Sequence, residues 1–128
     1  MYNTAIKKFS KTPVAISLFV LTLLLLAATL AFAHSTPVSM VPAKDSTVSA
    51  PASVVVHFSE ELEPKLSNLT LAGADGKVVS KEPSVVGADA KTITLPLPAL
   101  NPAIYTVNWV SVALDGHKAQ GNYKFTVK

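Results

Sequence analysis

Apolar positions fall along this chain in two regimes. From Val14 to Ala28 they are dense and uncharged, with no Gly or Pro to interrupt them. After Ala33 they thin into short alternating runs separated by Pro, Gly, Asp and Asn, the period-two signature of half-buried strands. Ser53 to Phe58 sets Val54, Val56 and Phe58 on one face, with Val55 and His57 on the other. Asn68 to Leu71 is a shorter run, Gly73-Ala74-Asp75-Gly76 behind it carries turn chemistry, and Lys77 to Ser80 is placed as the returning strand. Thr92 to Leu97 alternates again, but Pro96 and Pro98 lack a ladder donor, so this strand should lie at a sheet edge or end there. The clearest patterns come last. Tyr105, Val107 and Trp109 share one face of a strand beginning near Ile104, and Tyr123, Phe125 and Val127 share one face of the final strand, opposite Asn122, Lys124, Thr126 and Lys128. Six or seven short strands with no helical period predict an all-β domain, either a β-sandwich or a small barrel.

The first regime has a different meaning. Lys7, Lys8 and Lys11 ahead of the apolar run, and Ala31-Phe32-Ala33 behind it, read as the basic region, apolar region and A-x-A cleavage site of a secretory signal peptide over residues 1–33. The rival is an uncleaved membrane anchor, since Thr12 to Ala33 offers roughly 20 uncharged residues, enough to cross a bilayer. The small residues at Ala31 and Ala33 favour cleavage after Ala33 and export. Residues 34–128 then form a single domain with one modest core.

Charge changes with that cut. The chain has eleven Lys, no Arg and eight acidic residues, and three of the Lys lie in the leader, so residues 34–128 carry eight of each sign. A formally neutral domain with Lys scattered from Lys44 to Lys128 lacks the clustered basic surface that nucleic acid requires. There is no Cys, which excludes disulfides, thiolate metal ligands and a Cys nucleophile.

Chemistry therefore rests on few groups. The histidines are His34, His57 and His117. Cleavage after Ala33 would free the His34 amine, and that amine together with the imidazole Nδ1 can chelate one metal ion as a ring. Near the C-terminus, Asp115-Gly116-His117 separates a carboxylate and an imidazole by one Gly, and in an extended segment both would project to the same side. Three nitrogens and one oxygen form a set suited to tetragonal Cu(II), with Ni(II) and Zn(II) as weaker competitors. The plainer alternative is a chance N-terminal His and an Asp-Gly turn that would close a hairpin with or without metal. His57, mid-strand beside core-facing Val56 and Phe58, is expected on the outer surface as a rim histidine, and Glu61 and Glu63 as surface charge.

The order and spacing of certain residues carry a resemblance. His34, Pro42-Ala43, Pro51, Val56-His57-Phe58-Ser59-Glu60, Tyr105-x-Val107-x-Trp109, Asp115-x-His117 and the closing Gly121-Asn122-Tyr123-Lys124-Phe125-Thr126-Val127 together make residues 34–128 similar to the CopC-like copper-resistance family of periplasmic copper-binding proteins. The resemblance implies an Ig-like Greek-key β-sandwich or barrel of about seven strands with one Cu(II) site at one end. Its implied ligands map onto His34 (amine and imidazole), Asp115 and His117, with Glu60 beside the metal, where a carboxylate can orient an imidazole or the amine. It also implies a soluble monomeric periplasmic form that is not an enzyme and that hands copper to an inner-membrane copper protein. The chain departs from that pattern in places. Residues 66–92 contain no Met, His or Cys, and Met40 is the sole methionine after the leader, so a Met-rich Cu(I) loop is not expected. Val110 follows the Trp where the family often has Arg, Ala113 stands where it often has Ser, and Asn101-Pro102-Ala103 replaces a turn Gly.

Two functions of other classes remain open at this stage. An N-terminal His with a second His also resembles the histidine brace of copper oxygenases, although so small a domain has few loops from which to build a substrate surface. A metal-free Ig-like binding module would retain its N-terminus. No nucleophile elbow or triad spacing supports a hydrolase. The intact mass of the exported protein should correspond to residues 34–128 and rise by one copper on loading; a mass that retains residues 1–33 would leave no free His34 amine.

Overall fold

A computed structural model of the chain describes residues 34–128; the expected leader and its cut after Ala33 lie outside the described residues. Eight strands follow one another: β1 (Pro37–Val41), β2 (Thr47–Val48), β3 (Ser53–Phe58), β4 (Asn68–Ala72), β5 (Val85–Val86), β6 (Thr92–Pro96), β7 (Ala103–Val112) and β8 (Lys118–Val127). They form two four-stranded sheets of order β1-β3-β6-β5 and β2-β8-β7-β4. All pairings are antiparallel except β2 with β8. The chain passes repeatedly from one sheet to the other, giving an all-β Greek-key sandwich. Among the described residues, no helix is long and apolar enough to cross a membrane.

Alternation puts the core where the sequence indicates. Val54, Val56 and Phe58 are fully buried from β3, and Tyr123, Phe125 and Val127 are buried from β8. Tyr105 and Val107 from β7 join Leu69 and Leu71 from β4 and Ile93 and Leu95 from β6 in one cluster between the sheets. Removing this apolar area from water, at roughly 25 cal/mol per Å2, is the main force holding a chain without disulfides together. Tyr105 also donates its hydroxyl proton to the Asn101 carbonyl at 2.8 Å, closing the Asn101-Pro102-Ala103 turn.

One expectation is corrected in part. Lys77–Ser80 is not a strand: it makes one bridge, Ala72 to Val78. It does return along β4, with the Val79 N–H donating to the Leu71 carbonyl at 2.8 Å, and hydroxyls complete that edge, the Leu71 N–H donating to Ser80 Oγ at 3.2 Å and the Leu69 N–H to Ser84 Oγ at 2.8 Å. Of the two outcomes expected for the Pro96 strand, edge or end, the structure shows the second: β6 ends at Pro96 and lies between β3 and β5. Its β5 neighbour pairs only at Ile93 and Thr94, so no donor is demanded of Pro96 on that side.

Trp109 is held by a close approach. It sits opposite Gly121 in the β7–β8 ladder and meets Phe58 edge-to-face, with ring centroids 5.8 Å apart. A Cβ on Gly121 would fall 2.6 Å from Trp109 Cζ2 and 2.9 Å from Cε2. Gly121→Ala should therefore displace the indole and lower stability by about 1–3 kcal/mol, read as a lower urea midpoint with altered Trp109 fluorescence.

Candidate metal centre

At one end of the sandwich the N-terminal segment is tied across both sheets. Ser35 is fully buried, and its carbonyl accepts the Ser111 hydroxyl at 2.8 Å. One residue on, the Thr36 N–H donates to Ser59 Oγ at 3.1 Å while the Thr36 carbonyl accepts the Ser59 N–H at 2.9 Å. His34 projects from this tether as an exposed side chain.

Opposite it is the β7–β8 turn. The Gly116 N–H donates to the Ala113 carbonyl at 2.8 Å, and the Ala113 N–H to the His117 carbonyl at 2.9 Å. Gly116 has φ of 89°, a left-handed conformation that a side chain would resist. Within the turn, Asp115 Oδ1 accepts the His117 N–H at 3.0 Å, and Oδ2 lies 2.8 Å from His117 Nδ1. The two side chains thus share a side through a tight turn, the conformation that Asp-Gly favours, and not through an extended segment.

These contacts set the electrostatics. The His117 backbone N–H and then its imidazole, both donating to Asp115, hold that carboxyl below its usual range. An ionised carboxylate can only accept, so the 2.8 Å contact places a proton on His117 Nδ1 and leaves Nε2 as the basic nitrogen of the neutral ring. The His34 and His117 rings stand edge to face with centroids 5.9 Å apart.

Among the described residues, no three His, Asp or Glu side chains already converge on one point. The two imidazoles meet, while Asp115 is turned onto His117. Each Asp115 oxygen keeps a second lone pair beyond the one it gives His117. The donor set of imidazole nitrogen and carboxylate oxygen, half exposed at the rim, fits a borderline divalent ion.

Glu60 is exposed, and the described ion pairs are His57–Asp89, Lys77–Asp75 and His117–Asp115, none of which includes it. Its backbone position is nevertheless central. Ser59 before it is bonded to Thr36, and the Glu61 carbonyl after it accepts the Leu114 N–H at 3.2 Å, so Glu60 joins the segments that carry His34 and Asp115. Ser59 lies in the stretch that carries the family resemblance, whereas Ser35, Thr36 and Ser111 were not singled out from the sequence. The available signal was Ser111, a hydroxyl at the core-facing parity of a strand whose earlier inward residues are Tyr105, Val107 and Trp109.

His57 is engaged elsewhere. It lies half-buried on the outer face of the first sheet, with Nδ1 2.9 Å from Thr92 Oγ1, and the Thr92 hydroxyl in turn donates to Asp89 Oδ2 at 2.5 Å. Asp89 is held down to about 2 by that hydroxyl and by the backbone N–H groups of Lys91 and Thr92, at 3.0 and 2.9 Å, with His57 a smaller contributor.

Comparison with known proteins shows what this chain resembles. A CopC domain family model matches residues 37–128. Copper resistance protein C of Escherichia coli is 41% identical over 110 residues, covering 77% of this chain and 84% of that protein. The crystal structure of CopC from Methylosinus trichosporium is 33% identical with a TM-score of 0.70, over 74% of this chain and 94% of that one. PcoC, described as a methionine-rich copper resistance protein from Escherichia coli, is 37% identical with a TM-score of 0.66, over 75% of this chain and all of that one.

Acid should act on the Asp89 cluster in a defined window. Because its carboxyl sits below the ordinary 3.8, Asp89 contributes stability that is present above about pH 4 and lost as pH falls through about 2. Urea midpoints measured across that range should fall for the wild type and change less for Asp89→Asn.

Proposed function

The chain belongs to the CopC family, and from that membership and the geometry above we propose that it is a periplasmic protein that binds one Cu(II) ion as cargo for sequestration or transfer. The observation that carries the reading is the approach of His34 to His117, with ring centroids 5.9 Å apart, from opposite ends of the folded sequence. On this reading residues 1–33 are a cleaved signal peptide, and residues 34–128 are the soluble copper-binding domain.

The ligands are the His34 amine and imidazole, His117 and Asp115. In the uncut chain the His34 nitrogen is an amide and a poor donor; cleavage after Ala33 converts it to an amine, so processing is part of site assembly. Asp115 acts twice, orienting His117 through Nδ1 and offering its remaining lone pairs to the ion. Glu60, on the short connection between the two ligand-bearing segments, bears on the amine or the imidazole. A nitrogen-rich set without thiolate or thioether groups favours Cu(II) over Cu(I). Copper is carried, not used for turnover, and an inner-membrane copper protein is the class of recipient.

Titration of the processed protein should give one tetragonal, nitrogen-rich Cu(II) signal by electron paramagnetic resonance. His34→Ala, His117→Ala, or any residue left ahead of His34 should weaken binding by at least tenfold. Trp109 fluorescence should fall on loading, because Trp109 and the Ser111 that holds Ser35 lie on the same face of β7. Equal affinity in an N-terminally extended form would show that the amine is not a ligand.

A further inference from the structure

We infer that Ser111 is a positioning residue for the copper site: its buried hydroxyl clamps the main chain at Ser35 and so sets how far His34 reaches toward His117. The inference rests on the reading that His34 is a ligand.

Ser111 is fully buried at an inward position of β7, where an apolar side chain would cost less. Its partner, 76 residues away in sequence, is the Ser35 carbonyl, also buried. Immediately after it, Thr36 is fixed by its reciprocal pair of bonds with Ser59, at 3.1 and 2.9 Å. Two consecutive residues are thus anchored, one to β7 and one to the residue that follows β3, and His34 alone lies between the clamp and the expected cut. Ser35 Oγ has no hydrogen-bond partner among the described residues, so the clamp grips the carbonyl and not the side chain.

The clamp acts as a gauge. An extended chain advances about 3.3 Å per residue, whereas metal–ligand distances tolerate only about 0.2 Å. One residue more or less before the clamp would carry the amine out of reach. Holding the segment before metal arrives also removes part of the ordering cost of binding. The Ser that the family resemblance sets two residues before the Asp is Ala113 here, and Ser111, two residues earlier on the same face of β7, supplies a hydroxyl.

The test uses the processed protein beginning at His34, with Cu(II) affinity by competition titration, paramagnetic resonance spectra, and backbone 15N heteronuclear NOE of the metal-free form. Ser111→Ala should weaken Cu(II) binding about tenfold, the loss of one hydrogen bond, and lower the NOE at Ser35 and Thr36. Ser111→Thr and Ser111→Val have nearly the same shape, and only Thr should retain affinity. Ser35→Ala should bind as the wild type does. Should the Ser111 variants fail to fold, a Gly inserted between His34 and Ser35 reads the same register and should cost at least tenfold. Wild-type affinity and spectra in Ser111→Ala, equal affinities for the Thr and Val variants, or unchanged binding by the insertion would overturn the clamp. If the wild type binds no copper, the site reading fails, and the metal-free NOE still decides whether Ser111 holds the segment.

Discussion

The register of the β7–β8 hairpin is the constraint from which the rest follows. The two ten-residue strands pair from Ala103–Val127 at one end to Val112–Lys118 at the other. Because side chains alternate across a sheet, a slip of β8 by one residue against β7 would turn Tyr123, Phe125 and Val127 out of the core together. The same register brings Trp109 over Gly121, points Ser111 inward, and ends in the turn that pairs Asp115 with His117. Core, clamp and ligand loop are thus specified by one set of cross-strand pairs.

Rigidity and exposure are divided along that hairpin. The clamp at Ser111 and Ser35 is fully buried and made of neutral hydroxyl and carbonyl groups, which hold geometry without the desolvation cost of a charge. The ionisable groups beyond it stay at the surface, with about half of the His117 and Asp115 side chains exposed (51% and 55%). A buried frame therefore presents a hydrated pair of ionisable groups.

The long alternating strands were legible because period two leaves a mark that six or more residues can display. Val54, Val56 and Phe58 showed it, and so did Tyr123, Phe125 and Val127. The two-residue strands β2 and β5 were too short to show any period, and β1 was obscured by the irregular register between Pro37 and Ser39. Lys77–Ser80 returns beside β4 but pairs at one bridge only, and the Ser80 and Ser84 hydroxyls bond the rest of that edge. The histidine and aspartate candidates could be named from residue chemistry, but their meeting could not be derived from spacing. His34 and His117 are joined by the Ser111–Ser35 bond, and a bond across 76 residues leaves no local pattern.

The parallel pairing of β2 with β8 closes the opposite end of the molecule. There Thr126 and Lys128 donate their N–H groups to the Ser46 and Val48 carbonyls at 2.8 and 3.0 Å, while β8 begins, at Lys118, beside the ligand turn. The strand thus spans the sandwich from the Asp115–His117 turn to Lys128. The molecule has a directional polarity: a label, tether or fused domain attached at Lys128 sits a full strand length from His34. Immobilised through that residue, the protein would hold His34, Asp115 and His117, the proposed copper ligands, away from the support, facing solution.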